Sequence, residues 1–61
     1  MIAVGSKVTL NSGSPEMEVV DVKTIGGRAV LVCQWQDGNV LRLDEFDQDT
    51  VTEVVKFREF I

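Results

Sequence analysis

Two turn-centred blocks constrain this chain more than any other feature. Asn11-Ser12-Gly13-Ser14-Pro15 and Trp35-Gln36-Asp37-Gly38-Asn39 are each set among runs of β-branched residues. Gly26-Gly27 and Asp37-Gly38 supply the positive φ angles that tight hairpins need, while Val, Ile and Thr prefer a pleated strand. The chain therefore reads as all-β. Its 61 residues make one domain with one core, because a chain of this size buries only about 60% of the surface its unfolded form exposes. Such a core supplies only a few kcal/mol, and small domains commonly recruit staples or association to add to it.

Five segments read as strands. In the first, Val4 to Leu10, Val8 and Leu10 share one face and Lys7 and Thr9 the other. The second, Met17 to Ile25, has an ambiguous phase, with Met17 and Val19 on one face and Val20 and Val22 on the other. Either both faces are partly covered or a bulge near Val19-Val20 switches the register. The third, Arg28 to Trp35, places Ala29, Leu31, Cys33 and Trp35 towards the core. The fourth, Asn39 to Phe46, alternates Leu41 and Leu43 with Val40, Arg42 and Asp44. Asp47-Gln48-Asp49-Thr50 fits a 3₁₀ turn that hands the chain to a last strand, Val51 to Phe57. Five short strands with one such turn before the last are the arrangement of a small SH3-like barrel spanning residues 1–61. The expected core is Val8, Leu10, Val19, Leu31, Cys33, Trp35, Leu41 and Phe46, with Met17 as a gap-filler.

Composition narrows the chemistry. The net charge of −4, from six basic and ten acidic residues, works against binding phosphate backbones or anionic membranes, both of which need clustered cations. No segment has the pattern of a signal peptide or the ~20 apolar residues of a membrane span, so a cytoplasmic protein is expected. With no His and one Cys, zinc, copper and iron–sulfur sites lack ligands. Cys33, inside the apolar run from Ala29, reads as a small buried hydrophobe. The acidic stretch Asp44 to Asp49 lacks the glycine of an EF-hand loop and reads as a solvated rim. Ser6, Ser12 and Ser14 have no histidine base. Gly26-Gly27 precedes no helix that would aim amides at a phosphate. A domain filled by its own side chains leaves no room for a small-molecule pocket. Neither an enzyme nor a cofactor is expected.

Val4-Gly5, Val8-Thr9-Leu10 and Ser12 to Met17, followed by Cys33-Gln34-Trp35, Asp37-Gly38-Asn39 and Phe46, resemble the YodC-like family of small bacterial proteins. The resemblance runs to about Val54 and implies a small β-barrel-like domain with no established activity. Lys56 to Ile61 lie beyond it and are apolar for a terminus.

These readings favour a non-catalytic protein-interaction module that associates with itself. Val54, Val55, Phe57, Phe60 and Ile61 are the candidate partner-binding residues, because exposed together they would form an aggregation-prone edge unless paired across a two-fold axis or folded back over an open end of the same barrel. A nucleic-acid- or ribosome-associated SH3-like domain is the alternative, which clustering of Lys7, Lys23, Arg28 and Arg42 on one face would support. A phage or mobile-element inhibitor with an acidic surface is a third. Trp35 fits either the core or an interface centre.

Overall fold

The structure, a computed structural model, describes residues 2–55. Five strands, β1 (Lys7–Leu10), β2 (Met17–Ile25), β3 (Arg28–Asp37), β4 (Val40–Asp47) and β5 (Val51–Glu53), form one sheet in the order β4-β3-β2-β1-β5. Every neighbouring pair is antiparallel. A 3₁₀ turn, Gln48–Thr50, precedes β5; the Asp47 side chain caps it by accepting from the Asp49 N–H.

Glycine positions determine where the strands begin and end. Gly26 and Gly27 both take positive φ, 57° and 78°, the pattern of a type I′ hairpin between β2 and β3. Between β3 and β4 only Gly38 is positive, at 62°, which is the type II′ pattern with glycine first. The expected first strand is shortened. It starts at Lys7 rather than Val4 because Gly5, at φ 96°, bends the chain while its N–H bonds Val19 O at 2.8 Å.

A bulge in β2 resolves the ambiguous phase of that strand. Val19 pairs with Cys33 but Asp21 pairs with Val32, so Val20 is the extra residue and the faces exchange across it. Met17, Val19 and Val22 thereby share the face of Leu31 and Cys33, which no uninterrupted strand would permit. On this core face Val8, Met17, Val19, Leu31, Cys33 and Val51 are buried, and Ile2, Leu10, Trp35 and Phe46 pack half-buried against them. The Trp35 and Phe46 rings meet at 6.2 Å, tilted by 48°.

Leu41 corrects the expected core. Its partner in register is Gln36, on the opposite face from Trp35, and it is 56% exposed. The sheet also departs from a closed barrel: β4 and β5 are its two edges and no ladder joins them among the described residues. Asn11 secures the other end. Its N–H bonds Thr50 O at 2.9 Å and its Nδ2 donates to Asp49 O at 3.2 Å, tying the β1–β2 loop to the 3₁₀ turn.

Candidate interaction surface

Because paired residues share a face, the register assigns each side chain of the meander to the core or to the outer surface. The outer face carries Arg28, Val30, Val32, Gln34 and Gln36 from β3, opposite Asp47, Glu45, Leu43 and Leu41 from β4. Leu43, at 58% exposure, stands beside Leu41 on this strand. Val32, Leu43, Asp44 and Glu45 line a depression of about 390 Å³. A second depression, of about 220 Å³, lies towards β1 and has Lys7, Glu18, Gln34, Gln36 and Leu41 among its walls.

The polar groups around this apolar strip are satisfied by one another. Glu18 accepts from Gln34 Nε2 at 3.4 Å and lies 3.8 Å from Lys7 Nζ, making a polar row across β1, β2 and β3. Lys23 reaches over β3 to Glu45 at 2.8 Å. That hydrogen bond and charge hold the Lys23 ammonium above the usual lysine range, with Asp21 adding to the effect. Arg28 bonds Asp47 at 2.9 Å, and on the core side Arg42 bonds Asp37 at 2.7 Å. Lys7, Lys23, Arg28 and Arg42 are each matched to a carboxylate, and Arg42 stands on the opposite face from Lys7 and Lys23.

The sequence-derived partner residues are only partly in view. Val54 is half-buried, with its N–H bonded to Lys7 O at 2.8 Å, and Val55 is 63% exposed. Phe57, Phe60 and Ile61 lie outside the described residues. Within them the last strand is shorter than expected: β5 ends at Glu53, and Val54 and Val55 follow it outside the ladder with β1. Cys33 is fully buried and its thiol is pushed up by burial. Among the described residues no three of His, Cys, Asp and Glu come together as a metal site would require, and no helix is long and apolar enough to cross a membrane.

Leu41 and Leu43 are what the strand-by-strand reading missed. The signal was present in the Asp37-Gly38-Asn39-Val40 turn. A two-residue loop makes Asp37 and Val40 partners, so Trp35 must face Arg42 and Gln36 must face Leu41. Once Trp35 is assigned to the core, Leu41 and Leu43 are directed to solvent.

The family model described as uncharacterized small protein (DUF2158) matches residues 3–51, which takes in β1 to β4 and the 3₁₀ turn. No curated protein and no solved structure matches the chain.

Proposed function

The chain belongs to the DUF2158 family of small proteins, and we propose that it is a non-catalytic protein-interaction module whose contact surface is the outer face and free edge of the β3–β4 hairpin. The observation that carries this reading is the placement of Leu41 and Leu43 side by side on solvent-facing β4 while the core lies on the other side of the sheet. Large apolar side chains contiguous on one surface, rimmed by polar groups, are how partner sites are built. Matched ion pairs at Lys7, Lys23, Arg28 and Arg42 favour a protein over a nucleic acid as the partner. The strand order, with the 3₁₀ turn before the last strand, supports an SH3-like reading of the sheet, and the resemblance to YodC-like proteins fits the same picture.

A double variant, Leu41→Lys with Leu43→Lys, tests the surface. It should keep the circular dichroism and melting temperature of the parent, because neither side chain is in the core, yet lose proteins captured by the parent from cell extract. Equal capture by both chains would refute the reading. A bound fraction that is nucleic acid and that disappears steeply with salt would favour the alternative instead.

A further inference from the structure

We propose that β4 is the contact edge for a second copy of this chain, pairing antiparallel across a two-fold axis at Leu43 so that Arg42 of each copy faces Asp44 of the other. The inference rests on the interaction-module reading and identifies its partner.

β4 is an edge with eight residues, and among the described residues nothing pairs with its free side. Native sheets guard such edges with proline, charged side chains, bulges or very short strands. β4 has no proline or bulge, and its ladder with β3 is unbroken from Asp37↔Val40 to Val30↔Asp47. Its guards are charges, Arg42, Asp44, Glu45 and Asp47, which are of both signs and so deter pairing only in registers that oppose like charges. The opposite edge, β5, is only three residues long. Hairpin geometry determines which groups are available: Asp37 and Val40 close the turn as a hydrogen-bonded pair, so Leu41, Leu43 and Glu45 point their N–H and C=O away from β3. In the single chain the Glu45 N–H donates to the neighbouring Asp44 carboxylate at 2.7 Å; strand pairing would exchange that bond for one to Leu41 of the second copy and release Asp44 to meet Arg42.

Charge then selects the register. With the axis at Leu43, the two Leu43 residues form a hydrogen-bonded pair and each Leu41 pairs with Glu45 of the second copy. Arg42 and Asp44 occupy the intervening non-hydrogen-bonded sites, where opposing side chains come closest. Moving the axis to Arg42 opposes two arginines, and moving it to Asp44 or Glu45 opposes two carboxylates. An axis at Leu41 leaves only residues 40–42 overlapping. A half-step shift sets the core face of one copy beside the outer face of the other. Only the Leu43 register places unlike charges opposite each other on both sides over most of the strand. Arg42 retains enough donors to hold Asp37 of its own chain while meeting Asp44 of the second copy.

Sedimentation velocity over a concentration series reaching the millimolar range, on the full chain and two charge reversals, tests this. The parent should dimerise. Arg42→Asp sets two acidic residues opposite each other at both sites and Asp44→Arg sets two basic ones, so each variant alone should be monomeric with an unchanged circular dichroism spectrum. Mixed one to one, they should regain the dimer mass, because every opposed pair is again unlike. A monomeric parent would overturn the proposal. If that parent still captured other proteins through Leu41 and Leu43, the interaction-module reading would stand without it. Dimers that persist in both single reversals, or that dissolve only when residues 57–61 are removed, would also overturn it by placing the contact on another surface.

Discussion

Thr52 donates its hydroxyl hydrogen to the Asn11 side-chain oxygen, joining β5 to the β1–β2 loop across 41 residues of sequence. Asn11 also donates to Asp49 O, so one side chain holds the loop against both the 3₁₀ turn and the last strand. Asn11→Ala removes both bonds. Each contributes about 0.5–1.5 kcal/mol, towards the lower end where water competes. Urea denaturation should show a loss of about 1 kcal/mol with an unchanged slope. Adding Thr52→Val should cost less than it does alone, since the shared bond is already gone.

Trp35 and Leu41 should respond oppositely to truncation although both are large apolar residues on the same hairpin. Trp35 packs on the core and on Phe46, so Trp35→Ala should cost about 2–4 kcal/mol, less than a fully buried tryptophan, and leave a largely unfolded protein at ambient temperature. Leu41→Ala should shift stability by no more than about 0.5 kcal/mol. Thermal melts of the two variants beside the parent make the comparison.

Alkaline pH should destabilise the domain in two stages. Burial raises the Cys33 thiol above its ordinary 9.0. The unfolded chain therefore loses this proton first, and stability that is complete below that pH falls as pH rises through the folded value. Lys23, raised above 10.5 by the Glu45 hydrogen bond and charge, acts in the same direction at higher pH. Denaturation midpoints from pH 7 to 11 should decline from about 9 in the parent. In Cys33→Ala the first part of that decline should be absent. The thiol should also react with maleimide only as fast as the protein opens.

Strand number, the Gly26-Gly27 and Gly38 turns, the 3₁₀ turn and the core face of β3 were legible because each rests on local chemistry. The β2 bulge was legible as one of two options, since Met17-Val19 and Val20-Val22 conflict only if the strand is regular. The face of Leu41 is not legible within its own strand, because it depends on the register inherited through the turn. The exposed Leu41–Leu43 strip was missed for the same reason. Gly5 falls inside the expected first strand, yet it takes a positive φ and its N–H bonds Val19 O, fourteen positions away in the chain.

The strand order carries a consequence for how the chain folds. β2, β3 and β4 form a meander of neighbouring hairpins, whereas β1 meets β5 by bringing Val8 to Glu53. Closing that long loop costs entropy before any contact rewards it, so the meander assembles first and the β1–β5 seam zips last. Gly27→Ala, which strains a residue at φ 78°, should slow refolding in stopped-flow experiments that follow Trp35 fluorescence. Val51→Ala, at the buried start of the seam, should leave the refolding rate nearly unchanged and accelerate unfolding. The contact made last is then the first to open, and the lifetime of the native state is governed by β5, the shortest strand in the sheet.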